Sequence, residues 1–255
     1  MSQGTRLMRT ARAVGALLLA TLPACAPREE WALGAGQHAE RLHRTVTRTV
    51  DADLLLYLPP GFDPHSGHRY PLLIFLHGSG ESGRNIESVK ANGPPKLIAA
   101  GQHLPFIVAS PQAHDERQGF DLTMLDAMLD ELLERLPIDA DRVYLTGLSM
   151  GGIWTYGWAS MDPERFAAVA PISGEWSPDA ACALKHVPVW AFHGAKDEVV
   201  PLAGDRAMIE AINRCGGDAR LSTYDNAGHG VWEIAYSDPQ LFAWLLQHKR
   251  SRERR

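Results

Sequence analysis

Three observations predict an α/β sandwich built on a mostly parallel sheet. Six apolar runs are near-continuous rather than alternating, the pattern of strands covered on both faces. Segments with apolar residues at helical spacing lie between those runs. No Pro/Gly-rich linker, internal repeat or low-complexity stretch interrupts residues 44–248. One domain of alternating strands and helices with right-handed crossovers follows.

The chain opens outside that domain. Arg6, Arg9 and Arg12 precede a short, mostly apolar run from Ala13 to Leu22, and then comes LPACAP. A basic segment, an apolar segment of ten residues and a small-residue zone make an export signal over residues 1–24, too short to span a bilayer as a helix. Two cleavage modes fit. Ala24-Cys25-Ala26 satisfies the A-x-A rule, with a cut before Pro27, whereas Leu22-Pro23-Ala24-Cys25 resembles a bacterial lipobox with Cys25 as the lipidated residue. Proline after the cut disfavours the first, and Pro23 is unusual in the second. The lipobox is preferred and places the protein in the cell envelope, or the periplasm or medium if it is not lipidated.

Residues 25–43 read as a linker. Val46, Val50, Leu54, Leu56 and Leu58 then alternate around Asp51-Ala52-Asp53, which predicts an N-terminal antiparallel hairpin with a turn at the aspartates. The buried strands follow as YPLLIFLH (70–77), PFIVAS (105–110), RVYLTG (142–147), FAAVAPIS (166–173), VPVWAFH (187–193) and ARLSTYD (219–225). A leucine stripe at positions 122, 125, 129, 132, 133 and 136 predicts a helix over 121–136, and two more are expected at 204–215 and 238–248. The final HKRSRERR carries five basic residues against one Glu and reads as a solvated tail over 249–255.

Composition narrows the function. The 255 residues are 45% apolar, enough to bury a core, and the net charge of −5 gives no nucleic-acid footprint. The three arginines of the signal contribute +3, leaving −8 for the rest. The eleven histidines are scattered without a ligand pair, and no G-x-G-x-x-G follows a strand, so neither a metal nor a dinucleotide cofactor is expected. Besides Cys25, the cysteines are Cys182 and Cys215; in an oxidising compartment they form either a disulfide or two small core residues.

In open α/β sheets the chemistry sits at the carboxyl ends of strands. There the sequence places Gly147-Leu148-Ser149-Met150-Gly151 between a predicted strand and helix, matching the nucleophile elbow G-x-S-x-G. Such a turn holds the serine in a strained backbone conformation, so its neighbours two positions away must lack side chains. Asp197 lies past the strand VPVWAFH, and Glu198 is the weaker acid because adjacent residues point apart. His229, flanked by glycines, follows the last strand. The order Ser149, Asp197, His229 is the one the elbow requires. Without its partners each has a plainer role: a tight turn, a loop cap and an exposed loop residue. For the oxyanion, one backbone N–H is expected from Met150 and another from the loop His77-Gly78-Ser79-Gly80, at Ser79 or Gly80. His77 and His193 are read as structural, since neither fits the required order.

Taken together these residues resemble the α/β-hydrolase superfamily. They are more closely similar to secreted bacterial serine esterases of the dienelactone hydrolase, feruloyl esterase and polyhydroxybutyrate depolymerase type. The matching pieces are FLHGSGESG, GPPKLIAAG, IVASPQ, DRVYLTGLSMGG, FAAVAPISG, VPVWAFHGAKDEVVP and YDNAGHGVWE. The resemblance implies ester hydrolysis through an acyl-enzyme, without a cofactor. It departs at HDERQGFD (114–121), where the resembled esterases carry tryptophan near the position of Phe120. Thirteen residues, 174–186, separate the fourth and fifth buried strands and cannot form a cap of several helices. An open cleft is therefore expected, which suits short-chain or aromatic esters, including polymer-attached ones. Trp176 and Trp232 either line that cleft or are packing residues, whereas Trp154 is read as packing. Residues 27–250 show no separate polymer-binding module. Two alternatives are a serine peptidase of the prolyl-oligopeptidase type and a non-catalytic envelope binding lipoprotein. A dienelactone hydrolase in the narrow sense would carry cysteine where Ser149 stands.

Overall fold

The computed structural model describes residues 47–250. The export signal, Cys25, the linker, Val46 and the tail beyond Arg250 lie outside the described residues.

Seven strands form one sheet in the order β1-β3-β2-β4-β5-β6-β7. They are β1 Leu54–Tyr57, β2 Tyr70–Leu76, β3 Ile107–Pro111, β4 Ile138–Leu148, β5 Ala168–Ile172, β6 Val189–Gly194 and β7 Ala219–Tyr224. Every pair is parallel except β1 with β3. The continuous apolar runs are explained by alternation onto two covered faces. Leu72, Ile74 and Leu76 of β2 join one core cluster, while Leu73 and Phe75 join the other.

Helix α2 (Leu122–Arg135), α3 (Met150–Met161) and α4 (Leu202–Arg214) supply the first cluster with Leu125, Leu129, Trp158 and Ile212. The short α5 (Trp232–Ser237) and α6 (Pro239–Gln247) cover the opposite face through Ala235, Leu241 and Leu245. Packed beside them, α1 (Gly93–Ala99) adds Leu97 and Ile98. Asp121 caps α2 by accepting from the N–H groups of Thr123 and Met124, which starts the predicted leucine helix at that point.

The antiparallel element differs from the expected hairpin. Residues 47–53 hold no strand, and the aspartates at 51 and 53 make no turn between strands. The partner of β1 is β3, with Leu54 opposite Pro111 and Tyr57 opposite Val108. Period-two alternation defines the faces of a strand but not the edge it pairs with, and here the pairing is non-local. Strand β4 also starts four residues before the apolar run, because Tyr70 donates to Pro137 O at 2.8 Å and recruits Ile138 ahead of a register shift. The basic tail begins anchored rather than free: Arg250 N donates to Asp141 O at 2.9 Å and its guanidinium reaches Glu164 O.

Between β5 and β6 the chain makes only a 3₁₀ segment, Pro178–Leu184, and no cap domain stands over the sheet among the described residues. A disulfide joins Cys182 of that segment to Cys215 at the end of α4, with Cα atoms 5.2 Å apart. Strand order reverses beside β2, with β3 on one side and β4 on the other. That reversal opens a crevice at the carboxyl ends of β2 and β4, the general ligand position in such sheets.

Candidate active site

The elbow sits at that crevice. Leu76 of β2 is in register with Gly147 of β4, and Ser149 follows two residues later as the N-cap of α3. Its backbone has φ 52° and ψ −119°, a positive φ that ordinary side chains rarely adopt. The glycines are explained by contact. A Cβ on Gly147 would collide with the backbone carbonyl of Gly151, and one on Gly151 with Leu76 O and His77 O. Ser149 N–H donates to Ile172 O at 2.9 Å, and Ser149 O accepts from Ile153 N–H, so both flanks of the strained residue are held.

His229 comes from the loop after β7. Its Nε2 is 2.8 Å from Ser149 Oγ, and its Nδ1 is 2.8 Å from Asp197 Oδ2. A carboxylate only accepts, so Nδ1 carries the proton and Nε2 is free to accept from the serine hydroxyl. Asp197 has no side-chain exposure, and its Oδ1 accepts from the N–H groups of Val199 and Val200, each at 2.9 Å. Burial by itself would raise the Asp197 pKa. The hydrogen bonds from His229, Val200 and Val199 outweigh it and hold the carboxyl below its ordinary range. Glu198 is exposed. The structure thus brings together Ser149, Asp197 and His229, separated by up to 80 positions in sequence.

The loop after β2 lies against the elbow. A Cβ on Gly78 would meet Leu148 Cδ1 at 2.8 Å. Ser79 opens a single 3₁₀ turn, Ser79–Glu81, and Met150 is the first residue of α3, where N–H groups lack a partner within the helix.

Three further residues support the site. Ser173, at the end of β5, also has positive φ, 48°, and its hydroxyl donates to His229 O at 2.8 Å. Asn92 ties the two loops: its Nδ2 donates to Glu81 Oε1, and its Oδ1 accepts from Trp232 Nε1 at 3.1 Å. Gly194 is the third, because a Cβ there would collide with the carbonyls of Ala227 and Gly228, so the loops carrying Asp197 and His229 pack backbone to backbone. The signal for Gly194 was present as the His-Gly pair at a strand end. A lone serine or asparagine carries none.

The two tryptophans part company. Trp232 stands edge to face with the His229 ring at 5.2 Å. Trp176 packs on α3, 6.2 Å from Trp154 and against Gly157. Phe120, the point of departure from the resembled esterases, is buried with its ring 5.0 Å from that of His77.

Comparison with known proteins agrees with this architecture. The profile of the phospholipase/carboxylesterase family matches residues 105–242. A bifunctional acetylxylan esterase/xylanase of Neocallimastix patriciarum is 30% identical over 58% of this chain, which spans only 22% of that protein. Feruloyl esterase C of Emericella nidulans is 26% identical over 75% of this chain and 77% of its own length. A thermostable esterase of known structure superposes with a TM-score of 0.67 and 29% identity, covering 79% of this chain and 60% of that one. Esterase PE8, 21% identical with a TM-score of 0.58 over 78% of this chain and 99% of that one, shares the fold. With more than half of its length matched by the family profile and an elbow at the switch point of a mostly parallel sheet, the chain belongs to the phospholipase/carboxylesterase family, α/β-hydrolases that cleave carboxylic esters.

Proposed function

We propose that this chain is a serine carboxylic-ester hydrolase acting through an acyl-enzyme on short-chain or aromatic esters. The observation that carries the reading is the unbroken hydrogen-bonded line Ser149–His229–Asp197 at the crevice. Ser149 Oγ attacks the ester carbonyl while His229 Nε2 takes its proton. Asp197, kept ionised, holds the Nδ1–H tautomer and stabilises the imidazolium that forms. The N–H groups of Met150 and Ser79 receive the developing oxyanion, each such donor contributing about 10²–10³ in rate. His229 then protonates the leaving alcohol, activates water, and the acid departs.

The short 174–186 connection supports an uncovered cleft that admits an ester attached to something large. Trp232 beside His229 supports an aromatic or small acyl group. The names of the relatives, an acetylxylan esterase and a feruloyl esterase, point toward the acyl esters of plant-wall material. Export, with lipidation at Cys25, is part of the proposal. The disulfide supports it, since such bonds persist in oxidising compartments. A panel of 4-nitrophenyl esters from acetate to decanoate, methyl ferulate, acetylated xylan and an aminoacyl amide tests the reading, together with Ser149→Ala. Hydrolysis of the esters, lost in Ser149→Ala, is expected. Turnover of the amide alone, or ester hydrolysis that survives the substitution, overturns it.

A further inference from the structure

The polar line does not stop at Asp197. Directly behind it, at the end of β6, His193 is wholly buried, with Nε2 2.9 Å from Val200 O and 3.2 Å from Asp197 Oδ2. Its Nδ1 is 2.9 Å from Oδ2 of Asp205, which comes from the first turn of α4 and is equally buried. Asp205 Oδ1 accepts from the hydroxyl of Tyr156 on α3, again without exposure. Three polar side chains thus run from the core to the carboxylate that orients His229.

The proton inventory of His193 follows from its neighbours. Every atom facing its two nitrogens is an acceptor: a backbone carbonyl and the carboxylates of Asp197 and Asp205. A neutral imidazole has one N–H and could satisfy only one side. With both carboxyls ionised, the two sides are lined by acceptors and each nitrogen carries a proton. The titratable groups around it are Asp197 on the same loop as Val200, Asp205 on α4, His229 beyond Asp197, and Glu175 after β5, whose charge reaches Asp205. Burial alone would lower the His193 pKa. The hydrogen bonds to Asp205 and Val200, with the charges of Asp205 and Asp197, outweigh it and raise the value. Burial also lifts the Asp205 carboxyl, so the pair keeps its shared proton.

Resting on the serine-esterase reading, we propose that His193 is a positioning residue of the reaction: held as an imidazolium by Asp205, Tyr156 and the Val200 carbonyl, it places a positive charge 3.2 Å from Asp197 Oδ2 and fixes that carboxylate for His229. The shared atom matters. Oδ2 accepts from His229 Nδ1 on one side and faces His193 Nε2 on the other, so the carboxylate cannot rotate away from the imidazole without losing both partners.

Asp205→Asn isolates the effect. The amide preserves volume, still accepts from Tyr156 and can donate to His193 Nδ1, but His193 then becomes neutral with Nε2–H retained. The expected result is about a tenfold fall in kcat with KM little changed, and loss of the doubly protonated histidine from its ¹⁵N spectrum. A buried packing role alone would produce neither the split between kcat and KM nor that spectral loss. Histidine-selective ¹⁵N spectra of the wild-type full chain provide a readout independent of folding in the variant: one histidine should keep both ring nitrogens protonated above neutral pH. An unchanged kcat for folded Asp205→Asn, or wild-type spectra with no such histidine, overturns the proposal. Ser149→Ala separates the two failures. If it abolishes hydrolysis while Asp205→Asn changes nothing, only the positioning role falls; if hydrolysis survives it, the serine mechanism falls first.

Discussion

The chain places His-Gly at the end of β2 and again at the end of β6, and both histidines are fully buried. Their chemistry is opposite. His77 donates from Nδ1 to Gly78 O at 2.6 Å and accepts at Nε2 from Ala113 N–H at 2.9 Å, which one neutral imidazole satisfies. Burial therefore dominates and lowers its pKa, against the smaller effect of the Gly78 carbonyl. His193 has acceptors on both sides, so hydrogen bonds and neighbouring carboxylates overcome burial and raise its pKa. The same dipeptide on the same kind of strand end yields a neutral brace for the HG loop in one place and a buried cation behind Asp197 in the other. The lesson is that a buried titratable residue is defined by the donor and acceptor roles its neighbours leave open.

Substitutions rank the two regions. The largest effect is expected for Asp197→Asn, which replaces the carboxylate between His229 and His193 with a neutral amide; kcat should fall about 10⁴-fold, read with a 4-nitrophenyl ester. A loss below tenfold would mean that another group orients His229. Next, His193→Leu leaves Asp205 buried without its ion partner, and urea unfolding should show about 3–5 kcal/mol of lost stability. At the other strand end, His77→Leu strands only a neutral N–H and a carbonyl, and about 1–3 kcal/mol is expected. An equal cost at both sites would break the contrast between cation and neutral brace.

The smallest effect is a pH signature of opposite sign. The folded pKa of His77 lies below the unfolded 6.5, so its contribution is present above pH 6.5 and lost as pH falls through the lowered value. His248, also lowered by burial, shares that sign. The folded pKa of His193 lies above 6.5, so its contribution is present below pH 6.5 and lost as pH rises through the raised value. Urea midpoints measured across pH should therefore lose their alkaline decline in His193→Leu and part of their acid decline in His77→Leu. The reverse pairing would show that the protonation states are assigned the wrong way round.

Much of the fold was legible from local pattern. Five strands announced themselves as continuous apolar runs because their alternating side chains are buried on both faces, whereas β7, at the sheet edge, exposes Arg220 and Thr223. The leucine stripe marked α2 within a residue at each end. The elbow was legible because its glycines answer a steric demand that leaves a mark in sequence: no side chain fits between Gly147, Gly151 and the end of β2. Strand β1 was readable as a strand but not as the partner of β3, since alternation carries no information on pairing.

What the sequence determined by itself was the set of elements, the strained turn at Ser149 and the order of the residues brought to the crevice. These depend on periodicity, side-chain size and chain order, all local quantities. Only the tertiary structure decided which hydrogens sit where. His193 looked like His77 in sequence, and Ser173, Asn92, Asp205 and Tyr156 looked like nothing in particular. Their roles arise from hydrogen bonds that join positions 12 to 140 apart in the chain. A protonation state is set by the groups within about 3 Å, and in a folded chain those groups come from elsewhere.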